Sequence, residues 1–380
     1  MRISKISLLI ATLSALNTSQ AATFTWAGAT GTQGTLWDRK QNWAGNPANP
    51  PTSADNVVFA TSTFTALTSN GADSALDITF NSGASTYTLG LSGQTLTIGN
   101  GTTGGIVNNS TAVQTFSSPI AVSGNQTWDA ASGNLSFSGA ISGSSALTLS
   151  GANTINMSGV QSGTGSLIQS GAGTLNITAA NTYSGGATIN AGTVNITSAG
   201  VLSGGATTIN GGTVNVSTVG GLGSGAITLA GGTLSVAANL SAAGTFGLNG
   251  GTLSVDDTSA ARTISFGALT LNGASTVNLT DNANFSSITF SSADRTSGSL
   301  AVNSWVNNAS RDKIFVSGAA TQTFLDNVAF TGFSSGGQIV SGELVPAGVT
   351  PVPEPHEYAI VFGLGLLGFA AYRRRTLAQA

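Results

Sequence analysis

Between residues 172 and 256 the chain alternates apolar and polar positions with a period of two, and the alternation returns on a fixed stride. Ala172-Gly-Thr-Leu-Asn-Ile-Thr is followed by Ala191-Gly-Thr-Val-Asn-Ile-Thr, Gly211-Gly-Thr-Val-Asn-Val-Ser, Gly231-Gly-Thr-Leu-Ser-Val-Ala and Gly250-Gly-Thr-Leu-Ser-Val-Asp. The copies begin 19, 20, 20 and 19 residues apart, and a looser copy starts at Ser275. Leu175 and Ile177 point one way, Thr174, Asn176 and Thr178 the other, which is the pattern of a half-buried strand rich in β-branched residues. A second short strand precedes most copies: Thr188-Ile189-Asn190, Thr208-Ile209-Asn210, Thr228-Leu229-Ala230 and Gly247-Leu248-Asn249. The glycine-rich junction between the two strands reads as a corner that needs positive φ or close backbone approach.

A phase kept over five copies predicts an all-β, right-handed parallel β-helix, a solenoid of about 20-residue rungs stacked about 4.8 Å apart. Columns 175, 194, 214, 234, 253 and 177, 196, 216, 236, 255 should line the core, and 176, 195, 215, 235 and 254 should form an outward Asn/Ser ladder. Some 320 residues at that stride give roughly 16 rungs and a length near 80 Å. An antiparallel β-sandwich array would need paired turn signals without this phase. A disordered Gly/Ser tract would not hold Leu/Val and Ile/Val two apart in register.

The ends have a different grammar. Arg2 and Lys5, the apolar run Ile6–Leu16 and the small residues around Ser19-Gln20-Ala21 predict a secretory signal peptide over 1–21, cleaved after Ala21 by signal peptidase once the Sec translocon has engaged it. Its apolar run is too short to span a bilayer. At the other end comes Pro351-Val352-Pro353-Glu354-Pro355, then an apolar run over 358–372, then Arg373, Arg374 and Arg375. That order predicts a transmembrane helix with the arginines on the cytoplasmic side. A plain membrane anchor is the simpler reading.

Two resemblances follow from these residues. Pro353-Glu354-Pro355, the apolar helix and the arginine cluster together resemble the PEP-CTERM sorting signal of Gram-negative bacteria, about 28 residues long. The resemblance implies an exosortase as partner, cleavage near Pro353, Glu354 and Pro355, and release to the cell surface or extracellular matrix after a transient stay in the inner membrane. His356, the only histidine, then belongs to the tag. Residues 170–197 resemble the autotransporter-associated β-strand repeat through Gly173-Thr174-Leu175, Asn181-Thr182-Tyr183-Ser184-Gly185-Gly186 and Ile189-Asn190-Ala191-Gly192-Thr193-Val194. The copies at 203–256 lack the Asn-Thr-Tyr-Ser-Gly block. The resemblance implies a β-helical extracellular stalk or adhesin and no particular activity. About 70 residues separate the repeats from the sorting segment, too few for a translocator barrel.

The chain then divides into a signal peptide (1–21), a Trp-rich N-terminal cap (22–60), solenoid repeats (61–280), a C-terminal cap module (281–346), a linker (347–352) and the sorting signal (353–380). The cap carries Trp26, Gly28, Trp37, Asn42, Trp43, Asp55, Val57 and Phe59, similar to the opening segment of such repeat proteins. Its tryptophans either close the core or offer faces for sugar stacking.

Composition narrows the chemistry. Of 380 residues only 7% are charged, 52 are glycine and none is cysteine, which excludes disulfides, thiolate metal sites and cysteine nucleophiles. Residues 22–352 hold six basic residues against twelve acids, a net charge of about −6, with no basic footprint for nucleic acid. Without histidine a catalytic triad or a multi-histidine metal site is nearly excluded. Carboxylate chemistry on a β-helix would draw on Asp256-Asp257, Asp281, Asp294-Arg295 or Arg311-Asp312-Lys313, although neighbours on a strand face opposite sides unless the chain bends. Calcium-loop motifs are missing and no cofactor is expected. The Asn-x-Ser/Thr triplets at Asn134, Asn176, Asn195, Asn215 and Asn278 follow from the alternation itself. The expected function is therefore a non-enzymatic exported structural or adhesive solenoid with extracellular polysaccharide as a possible partner. The alternative is a carbohydrate-active enzyme or glycan-binding module on the same scaffold.

Overall fold

The computed structural model describes residues 21–349, except 29–32, 46, 198–200, 280–283 and 308–310. Nearly all of the expected signal peptide, the candidate acid Asp281 and the whole sorting segment, with Pro353, Glu354, Pro355, Arg373, Arg374 and Arg375, lie outside these residues.

Short strands succeed one another around three faces of a parallel β-solenoid. The first face is a 13-stranded sheet that starts at Thr23–Thr25 and Asn56–Phe59 and ends at Ala293–Arg295; the second, also 13-stranded, runs from Ala66–Leu67 to Val328–Phe330. The third is in two pieces. Five strands from Asp73–Ala75 to Gln161–Ser162 form one, and six strands starting at Leu240–Ala242 and closed by the hairpin Gly337–Val340/Glu343–Pro346 form the other. Successive strands on a face pair in parallel, and the antiparallel ladders are confined to that closing hairpin and its join to Lys313–Val316.

Thirteen strands stack on each of the two long faces, which makes about a dozen turns of about 21 residues. This corrects the expectation of roughly sixteen. The stride of 19 or 20 seen in the clear copies does not hold toward the ends: Asp77 pairs with Gly105, Leu253 with Val277 and Leu300 with Val328. Longer corner loops use up chain there without adding turns. At about 4.8 Å per turn the shaft is roughly 60 Å long. In-register rungs also continue past residue 281, through Ser287–Phe290, Leu300–Asn303 and Lys313–Val316.

The columns are those read from the sequence. Leu175, Val194, Val214, Leu234 and Leu253 stand in one register, and Ile177, Ile196, Val216, Val236 and Val255 in the next. On the first face Ile189, Ile209, Leu229 and Leu248 align likewise. All are buried, and full burial of each such side chain is worth about 1.5–3 kcal/mol. The middle rungs are aliphatic inside, and the end rungs are aromatic. Phe59 stacks on Phe80 with ring centres 5.0 Å apart, Phe116 on Phe137 at 5.0 Å, and Phe266 on Phe290 at 5.7 Å.

The corners explain the glycines. Gly192 and Gly212 sit at φ +72° and +70°, and a Cβ on either would lie 2.3 Å from the carbonyl oxygen of the glycine one rung below. Only glycine meets both demands.

Candidate functional site

The second face offers the most regular chemistry on the molecule. Pairing places Thr174, Thr193, Thr213, Thr233 and Thr252 in one outward row and Asn176, Asn195, Asn215, Ser235 and Ser254 in the next. The asparagines are linked to each other. Asn176 Nδ2 donates to Asn156 Oδ1 at 2.7 Å, Asn195 to Asn176 at 2.9 Å, and Asn215 to Asn195 at 2.9 Å. Every amide donates toward the N-terminal rung, so the dipoles add along the row. The row resumes where Asn303 donates to Asn278 at 2.8 Å, and Thr331 Oγ1 caps it by donating to Asn303 Oδ1 at 2.6 Å. A shorter ladder on the first face joins Asn210 to Asn190.

Asn181 and Tyr183 do different work. They occupy the stretch where the third face has no paired strand, between Gln161–Ser162 and Leu240–Ala242. Asn181 Oδ1 accepts from the Gln161 backbone N–H at 2.9 Å, and its Nδ2 donates to the Val201 carbonyl at 2.9 Å. One side chain thus ties together three successive rungs where backbone pairing thins to the bridge Ala180–Val201. Tyr183 is buried, and its hydroxyl donates to the Leu202 carbonyl. Burial pushes its phenol above the ordinary tyrosine range, against a lowering contribution from the Ser203 side chain. The Asn-Thr-Tyr-Ser-Gly block is therefore a device of side-chain staple and plug.

The tryptophans close the N-terminal end. Trp26, Trp37 and Trp43 are each at most 2% exposed. Trp43 meets Trp26 and Trp37 edge to face, with ring centres 5.1 and 5.0 Å apart. Their faces are spent on one another and on Phe59, so the sugar-stacking reading of these residues is overturned. Asn42 fastens the loop by donating to the Gln33 and Leu36 carbonyls, at 2.8 and 2.7 Å.

Of the candidate acids, Asp257 and Asp312 meet at Ser286, and Asp256 and Asp294 lie apart from them. Asp256 is exposed and accepts from the Thr258 hydroxyl at 2.8 Å. Asp257 is fully buried and accepts from Ser286 Oγ at 2.8 Å. The two side chains point to opposite sides, as neighbours on an extended chain do, and the carboxylates face different surroundings. Asp294 accepts from its neighbour Arg295 N–H and from Thr321 Oγ1. Asp312 Oδ1 accepts from the Ser286 N–H at 2.7 Å. Arg311 forms a buried ion pair with Glu343 at 2.5 Å and lies over the Trp305 ring at 5.0 Å. The Arg311–Glu343 pair pins the closing hairpin to the last rungs. Among the described residues no three of His, Cys, Asp and Glu converge on a metal-sized site, and no helix is long and apolar enough to cross a membrane.

Sequence reasoning gave no weight to Asp73, on the first strand of the third face. Its side chain is 5% exposed. Burial pushes its carboxyl up to about 6, against a lowering hydrogen bond from Ser69 and with a further push from the charge of Asp38. An acid at an inward strand position would have been the available signal. The pairing of Arg311 with Glu343 had none, since 32 residues separate them.

Against this geometry, a family model described as the passenger-associated transport repeat matches residues 167–196. The match covers the first-face strand, the second-face strand, the Asn181–Tyr183 corner and the start of the next turn. No curated protein matches the chain and no solved structure does. The repeat and the solenoid together suggest an exported, passenger-like surface protein.

Proposed function

We propose that the protein is an exported bacterial surface or matrix component, a non-enzymatic β-solenoid shaft with a structural or adhesive role. The observation that carries this reading is the passenger-associated repeat seated in an uninterrupted run of in-register rungs. The candidate acids fit a role without turnover: Asp256 and Asp294 hold local turns, and Asp257 and Asp312 are buried together on Ser286. Buried tryptophans close the N-terminal end of the shaft and a buried ion pair fastens the closing hairpin at the other, as the ends of a repeat protein require.

The addresses at the two termini complete the proposal. A leader cleaved after Ala21 brings the chain through the Sec translocon. Pro353-Glu354-Pro355, the apolar run 358–372 and Arg373–Arg375 hold it in the inner membrane until an exosortase processes it. Immunolabelling of intact cells of the native host, with a periplasmic protein as lysis control, tests the location. Labelling of intact cells or recovery from the matrix is expected. Labelling only after the outer membrane is opened would contradict it. The carbohydrate-active alternative predicts polysaccharide turnover that falls on substitution of Asp256, Asp257 or Asp294; unchanged glycan with lost cell–cell adhesion on deletion is the outcome expected here.

A further inference from the structure

We propose that the outward side of the second face, from Thr174 to Ser254, binds an extended, uncharged polysaccharide laid along the solenoid axis. The proposal deepens the surface reading and rests on it only for where the polymer is met.

Three observations point to that ligand. The first is repetition. The rows Thr174–Thr193–Thr213–Thr233–Thr252 and Asn176–Asn195–Asn215–Ser235–Ser254 advance one rung at a time in unbroken register. A rung of about 4.8 Å is close to the length of one sugar residue in an extended chain, so the same contact can recur at every rung. The second is charge. No residue in either row is ionisable, so an anionic polymer would gain no counter-charge there for the hydration it gives up. The third is unspent hydrogen-bonding capacity. A primary amide has two N–H donors and two acceptor lone pairs. Asn176 and Asn195 each spend one donor and one acceptor on the ladder, leaving one of each for a ligand. The flanking threonine hydroxyls add a donor and acceptors at every rung.

The strip contains no aromatic side chain, so it cannot hold a single sugar by stacking. Each hydrogen-bonding contact contributes about 0.5–1.5 kcal/mol. Useful affinity therefore comes only from many rungs engaged at once, with each further sugar held at high effective concentration. Binding should need a long chain and should ignore salt, since there is no ion pair to screen.

The test is co-sedimentation of the purified protein with cellulose and with chitin, two insoluble neutral polymers, and with calcium-gelled alginate as the anionic comparison. The protein should be retained on at least one neutral polymer, equally at low and at 0.5 M salt (about a 4 Å screening length), and a soluble tetrasaccharide of that polymer should not compete. Thr193→Lys with Thr213→Lys should weaken retention about tenfold, equivalent to about 1.4 kcal/mol. Thr188→Lys with Thr208→Lys, the matching change on the first face, should leave it unchanged. If the lysine pair perturbs folding by circular dichroism, Thr193→Val with Thr213→Val keeps the strand propensity and should still weaken binding several-fold. No retention on either neutral polymer, equal loss from both faces, or preference for alginate overturns the proposal. Because the assay is done on purified protein, it can fail while the surface location stands, and it can succeed where immunolabelling has refuted that location.

Discussion

Single side chains hold this molecule together in two distinct ways. Ladder asparagines such as Asn195 sit between like neighbours and are solvated on one side. Staple asparagines such as Asn181 satisfy backbone groups where strands are missing. Removing the first leaves groups that water can reach; removing the second strands the buried Gln161 N–H and the Val201 carbonyl. Asn195→Ala should therefore cost about 1 kcal/mol and Asn181→Ala about 2–3 kcal/mol in unfolding free energy measured by urea titration. Equal costs would show that the staple is no more than another ladder rung. The ladder was legible in the sequence because it shares the two-residue alternation of the strands. The staple was not, because only one copy, at 181–186, carries the block, and nothing in that block says that the third face lapses there.

At the scale of elements, the strands of the repeat were readable and the caps were only partly so. Leu175 to Val255 fell into their columns because period and stride were both visible. The turn count was not, because loops such as the one that carries Asp77 to Gly105 lengthen the rungs without changing the strand pattern. Both ends of the shaft hold ionisable groups buried by tertiary packing, and both yield predictions. Asp73 has its carboxyl pushed up to about 6 from 3.8. The folded chain thus binds its proton more tightly than the unfolded chain does. Asp73 is neutral and without penalty below the unfolded value, and stability falls as pH rises from about 4 through 6, by up to ~3 kcal/mol for a shift of this size. Asp73→Asn should flatten that part of the stability–pH curve and raise the melting temperature at pH 7. A curve unchanged by the substitution would remove Asp73 as its cause. At the other end Arg311→Met leaves Glu343 buried without its guanidinium, which should cost about 3–5 kcal/mol. Hydrogen exchange should show the loss first in the hairpin Gly337–Val340/Glu343–Pro346. Uniform loosening of all rungs would mean that the ion pair supports the shaft and not the cap.

As a whole, the molecule is a shaft of repeated contacts between neighbouring turns, closed at the described ends. Each turn touches only the turns beside it, so damage should stay local until a cap opens. Gly192→Ala places a methyl 2.3 Å from the Gly173 carbonyl oxygen at a positive φ; it should lower the melting temperature, and limited proteolysis should then cut near that corner while the end rungs survive. The same architecture suits a protein that works by length and surface. In the proposed function this shaft is carried out of the cell and trimmed at both ends. Mass-spectrometric mapping of the two termini of the protein, recovered from the medium or outer surface of its native host, tests it most directly. A chain that begins at Ala22 and ends near Pro353 is expected. A cell-associated chain that still carries Met1 and Arg373-Arg374-Arg375 would contradict it.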